Sequence, residues 1–131
     1  MELIKIDDNK KIENMIYEIR GKQVMLDRDL AILYQCSNGT KTINQAVNRN
    51  SERFPADFYF QLSKDEYECL KSKIGTANFK MNRTLPYAFT EQGVAMLSSV
   101  LRTSVASSVS IKIMRCFVNL KKYVNSYEYR K

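Results

Sequence analysis

The polar side chains best suited to touching another molecule crowd into residues 40–54, TKTINQAVNRNSERF. Lys41, Thr42, Asn44, Gln45, Asn48, Arg49 and Arg53 all lie there. Side-chain amides fit the edge of adenine, an Arg fork fits guanine, and Lys or Arg neutralises phosphate. Together these residue types point to non-covalent recognition of nucleic acid. Read as a helix, the stretch puts Ile43, Ala46, Val47, Asn50 and Phe54 on one face, at three- and four-residue steps. Lys41, Asn44, Gln45, Asn48 and Arg49 then share the opposite face, with no acid before Glu52. An ordinary solvated face mixes Glu with Lys, because opposite charges four apart support the helix. The spacing predicts a DNA-recognition helix. The plainer alternative is a polar surface helix with no partner.

Covalent chemistry finds no comparable set of residues. The chain has no His, which excludes histidine-based nucleophilic catalysis, His zinc sites and histidine pH switching. There is no Gly-rich phosphate loop, and Gly93 lacks the partner glycine of a serine elbow. No cluster of Cys, Asp and Glu has metal-ligand spacing. Asp65, Glu66 and Glu68 sit close together, but a helix start explains them better than catalysis does. Tyr87 and Phe89 have faces on which bases could stack, though core packing is the commoner use of a strand aromatic. Cys36, Cys69 and Cys116 have no paired spacing and read as buried small apolar residues in a reducing compartment. The expectation is a protein that is not an enzyme and uses no cofactor or metal.

The elements that must hold the polar stretch belong to a chain of 131 residues, 44% hydrophobic and 27% charged. That length suits one domain able to bury roughly two-thirds of its unfolded surface. No apolar run approaches the ~20 residues of a membrane span, and the start lacks a secretory pattern. We therefore expect a cytoplasmic, nucleoid-associated protein with no membrane partner. The net charge of +7 is lopsided: residues 1–68 hold 10 basic and 12 acidic side chains, residues 69–131 hold 11 and 2. A one-sided positive surface is expected of a protein that meets a polyanion.

Local signals place the rest. Residues 1–14 are polar and weakly patterned, which predicts a flexible N-terminal segment. A hairpin is expected around Arg20–Gln23. Asp27 reads as the N-cap of a short helix to Tyr34 or Gln35, and Thr40 or Thr42 as the cap of the next. Short helix, Gly-containing turn and second helix make a helix-turn-helix-like pair. Pro55 ends the polar helix, and residues 58–62 and 85–89 read as strands. Ser63 with Glu66 forms a capping box. Residues 71–84, with Lys71, Lys73, Lys80 and Arg83, read as a basic loop that could touch phosphates like a wing. Thr90 caps a helix ending near Arg102, and a long C-terminal helix follows from about Ser104 to Val124. On it Lys112, Arg115 and Lys122 gather on one face, while the apolar arc, widened by Ile111, Met114 and Val118, exceeds what one surface helix buries.

Several segments are recognisable as a set: residues 20–31 (RGKQVMLDRDLA), 44–50 (NQAVNRN), 53–58 (RFPADF) and 85–101 (LPYAFTEQGVAMLSSVL). This set resembles the ORF-six-N (open reading frame six, N-terminal) domain of phages, prophages and bacteria, a relative of the KilA-N domains. The resemblance implies sequence-specific DNA binding, often at the N-terminal end of a phage antirepressor or regulator. The turn at residues 35–39 looks longer than the family's compact form.

The expected fold is α+β: a small antiparallel sheet with packed helices, a helix-turn-helix-like pair and a long C-terminal helix. Residues 15–125 should form the domain, with 126–131 a tail or the start of a linker. The expected partner is double-stranded DNA, held through residues 40–53 in the major groove. Asn44, Gln45, Asn48 and Arg49 would read bases. Lys41, Arg53, Lys80 and Arg83 would neutralise phosphates, with Lys112, Arg115 and Lys122 as a second basic patch. A homodimer is compatible with this. The rival reading is a protein-interaction module that binds a repressor or another protein partner without DNA.

Overall fold

A computed structural model of the chain describes residues 6–74 and 84–129, with side chains over 9–72 and 84–121. In chain order the described elements are α1 (Ile6–Glu13), β1 (Ile16–Ile19), β2 (Lys22–Leu26), α2 (Asp27–Leu33), α3 (Thr40–Arg49), a 3₁₀ turn (Ser51–Arg53), β3 (Tyr59–Gln61), α4 (Lys64–Ile74), β4 (Tyr87–Thr90), α5 (Glu91–Leu101) and α6 (Ser104–Tyr129). The α+β class is as the sequence predicts.

The hairpin closes on two residues. Ile19 faces Lys22 across the β1–β2 pair, leaving Arg20 and Gly21 as the turn, at φ 57° and 73°. Two positive φ values are the sign pattern of a type I′ turn, whose twist matches the strands it joins. The sheet runs β1-β2-β4-β3, antiparallel throughout. The two central strands are buried on both faces, and their side chains divide with period two. Met25 and Phe89 join Leu30, Ile43, Val47, Val94, Leu97, Ile113 and Phe117 in the larger core. Val24, Leu26 and Ala88 point the other way, onto Leu62 and onto Tyr67 and Leu70 of α4.

Caps fix where the outer helices begin. The Ser63 N–H donates to Glu66 Oε1 (2.8 Å) and the Glu66 N–H to Ser63 Oγ (3.1 Å), the reciprocal box read from the sequence. The Gly93 N–H donates to Thr90 Oγ1 at 3.3 Å, so Thr90 caps α5. Gly93 is needed there for space: a Cβ on it would stand 2.0 Å from the Phe58 carbonyl oxygen.

Several expectations need correcting. Within the start expected to be flexible, Ile6–Glu13 form a helix whose Ile12 is buried in the larger core and which packs on α6, while residues 1–5 lie outside the described residues. The tail expected from residue 126 continues α6 to Tyr129. Cys69 is exposed, Cys36 half-buried, and Cys116 buried. Asp27 opens α2 but does not cap it, since Leu26 holds the N-cap position. Neither Thr40 nor Thr42 caps α3. Its N-cap is Gly39, which has no side chain to offer, and the first turn closes through the Thr42 N–H to the Gly39 carbonyl (3.3 Å).

Candidate nucleic-acid interface

α3 is amphipathic, and its apolar side is fixed in the core. Ile43 and Val47 are 0% and 1% exposed. Phe54, just past the 3₁₀ turn, is also buried, edge-on to Tyr59 and Phe89 at 5.8 and 6.2 Å between ring centres. The helix packs on α2 and α5. On its outer side Lys41, Gln45, Asn48 and Arg49 are exposed, and Thr42 is half-buried at the flank. Among the described residues, no carboxylate pairs with Lys41, Arg49 or Arg53.

The connection from α2 is built from backbone bonds. Gln35 sits at φ 58°; its N–H donates to the Ile32 carbonyl, and the Cys36 N–H reaches back to the Ala31 carbonyl at 2.9 Å. That pairing is a Schellman motif, which closes α2 cleanly. The chain then turns through Ser37–Gly39 into α3. The helix-turn-helix-like order of the two helices is present, with residues 34–39 between them.

Two of the candidate residues sit differently from expectation. The helix stops at Arg49, because the Asn50 side-chain Nδ2 donates to the Ala46 carbonyl at 2.8 Å and Asn50 leaves helical geometry at φ −132°, ψ 40°. Arg53 is therefore exposed on a 3₁₀ turn, not on the helix. Asn44 leaves the outer face. It is half-buried, with Nδ2 3.5 Å from Asp27 Oδ2.

Asp27 itself is 5% exposed. Its Oδ1 accepts the Arg28 N–H at 2.8 Å, and the Tyr87 backbone amide nearby also favours its charged form. Burial pushes its pKa up, and these contacts hold it down. Asp27, Arg28, Thr40, Asn44 and Tyr87 line a cleft of about 270 Å³ beside the start of α3. Sequence reasoning took Asp27 for a cap and missed its reach to Asn44, a contact seventeen residues away that no local signal encodes.

Tyr87 and Phe89 serve packing. Phe89 is fully buried, and Tyr87 stacks on Tyr59 with ring centres 5.3 Å apart. Lys112 is half-buried and Arg115 exposed on α6, which packs on α1 and α5. Lys80 and Arg83, with most of the expected basic loop, lie outside the described residues, as does the side chain of Lys122. No described helix is long and apolar enough to cross a membrane. Comparison with curated proteins and with solved structures produced no match. A family model described as the ORF6N domain matches residues 14–100, from the end of α1 through nearly all of α5. With the helix pair, the sheet and the capped helices on that matched span, the chain belongs to the ORF6N domain family.

Proposed function

We propose that this chain binds double-stranded DNA in a sequence-dependent way, with α3 in the major groove, as a phage- or prophage-type transcriptional regulator or antirepressor. One observation carries the reading: Lys41, Gln45, Asn48 and Arg49 are exposed together on one acid-free side of a helix whose other side is locked in the core. Gln45, Asn48 and Arg49 then read base edges. Lys41 and Arg53 neutralise phosphates, as do Lys80 and Arg83 of the basic stretch 71–84. Family membership supports the same reading.

The experiment is selection from a random duplex pool, followed by salt titration of the winning site. Arg49→Ala should cost about 1–3 kcal/mol of discrimination at the base it reads. Lys41→Ala should weaken every duplex alike and lower the slope of log K against log salt by about 0.9. Identical effects of both variants on specific and random duplexes would refute this division of roles.

A second reading draws on α6, where Ile111 and Val118 are 53% and 44% exposed, one helical face apart by two turns. There the chain is an interaction module that captures a repressor or another protein. Failure of a gel shift on random duplex at both low and moderate salt would favour it.

A further inference from the structure

We propose that Asp27 is a positioning residue for the reading face of α3, and that Asn44 is its partner in that task and not a base reader. The proposal rests on the DNA-binding reading above.

Three elements meet at the Asp27 carboxylate. It stands at the first position of α2, lies near the Tyr87 backbone amide of β4, which favours its charged form, and is 3.5 Å from the Asn44 amide of α3. A buried carboxylate is costly unless bonded, and an ionised one has room for several donors. Here the donors come from α2 and from the candidate recognition helix, with the backbone of an inner strand of the sheet alongside.

α3 has only ten residues. Helices that short do not hold their own geometry in water, so packing must orient it. Ile43 and Val47 set its depth. Apolar contact is non-directional, so these two decide which side of the helix faces inward and leave the last degrees of its roll to directional bonds. A hydrogen bond is directional, and Asn44 supplies one to a carboxylate set beside the sheet. The roll matters for reading: on a helix about 10–12 Å across, a turn of about 20° sweeps a side-chain tip by roughly 2 Å. That exceeds what a base-edge hydrogen bond tolerates. With its Nδ2 turned to Asp27, Asn44 is also poorly placed for the two-pronged contact by which an amide identifies adenine. Gln45, Asn48 and Arg49 remain to read, at a roll that Asp27 sets.

The test is the base-preference profile selected from a random duplex pool by the full chain and by Asn44→Ala, Asp27→Ala and the double variant. Asn44→Ala and Asp27→Ala should each flatten preference at all read positions together, with best-site over random affinity falling about 10-fold, the size of an ordinary pairwise coupling. The double variant should lose no more than either single one, and the salt slope should stay unchanged. If Asn44→Ala alters one base position and spares the rest, Asn44 is a reader and the proposal is overturned. Additive losses in the double variant also overturn it. So does a uniform drop in affinity with base preferences intact, which is what simple destabilisation produces. Should Asp27→Ala fail to fold, the half-buried Asn44→Ala decides alone by the same profile. If the unsubstituted chain selects no sequence, the DNA-binding reading itself falls, and this one with it. A selecting chain whose profile Asn44→Ala leaves untouched sinks only the positioning role.

Discussion

Gly93 illustrates how a single position can hold two elements together. The Thr90 N–H donates to the Phe58 carbonyl at 3.0 Å, and the Thr90 hydroxyl lies 3.1 Å from the same oxygen and 2.9 Å from the Asp57 carbonyl. The first turn of α5 therefore rides directly on the backbone after Pro55. Adding a methyl at Gly93 would place it 2.0 Å from that carbonyl oxygen and 3.0 Å from its carbon. Backbone cannot swing aside as a side chain can. Gly93→Ala should destabilise the fold by about 1–3 kcal/mol or more, read by urea unfolding. A midpoint unchanged from the natural chain would show that α5 can be lifted off Phe58 without loss.

α3 depends on its neighbours in a way that longer helices do not. The Asn50 amide ends it, a Schellman motif delivers the chain to it, and α2 and α5 flank it. Ile43 is its fully buried anchor. Ile43→Ala should cost about 2–5 kcal/mol, as buried large-to-Ala changes do, measured by urea unfolding. Below that unfolding range, what folded protein remains should bind duplex DNA with a blurred base preference, because the helix would sit loosely in its seat. A loss under 1 kcal/mol would mean that α3 is only lightly attached. α6 is the contrasting case. At 26 residues it spans about 39 Å at 1.5 Å per residue. It carries Ile113, Cys116 and Phe117 into the core, and its Lys121 pairs with Glu91 at the start of α5.

Across the molecule, two carboxyl groups pull the pH dependence of stability in opposite directions. Glu66 is bonded by the Arg20 guanidinium at 2.8 and 3.1 Å and by the Ser63 N–H, which hold its pKa at about 2 against an ordinary 4.5. Its contribution is complete above pH 4.5 and is lost as pH falls toward 2. Burial raises the Asp29 pKa from 3.8 to about 6, with the nearby Arg28 charge opposing the rise. An ionised Asp29 therefore costs the fold stability above pH 6. That cost disappears as pH falls from 6 to 3.8, because the native state takes up its proton first. The thermal midpoint should rise modestly from pH 7 to about 5 and then fall steeply below pH 4. Asp29→Asn should shrink the rise, leaving the smaller part due to buried Asp27, and Glu66→Gln should flatten the fall, both followed by circular dichroism. A midpoint that is flat from pH 7 to 3 in the natural chain would refute both assignments.

What could be read in advance was what local chemistry encodes. Ser63 with Glu66, Thr90 before α5, the hairpin around Arg20–Gln23, the strand at 85–89 and the amphipathic spacing of residues 43–54 all act within a few residues of themselves, so the one-dimensional pattern carries them. Ile12, Asp27, Asn44 and Arg53 could not be placed that way. Ile12 docks on a helix about a hundred residues further along, through a core that exists only once the sheet has closed. Asp27 looked like a cap because its neighbours suit one, yet its contacts run to β4 and α3. Asn44 shared the polar face by helical arithmetic and turned inward because a buried carboxylate stood beside it. Arg53 left the helix because the Asn50 amide competed for the Ala46 carbonyl. Short-range patterns decide which elements form; long-range packing and hydrogen bonding decide which of their polar side chains stay free to meet a partner.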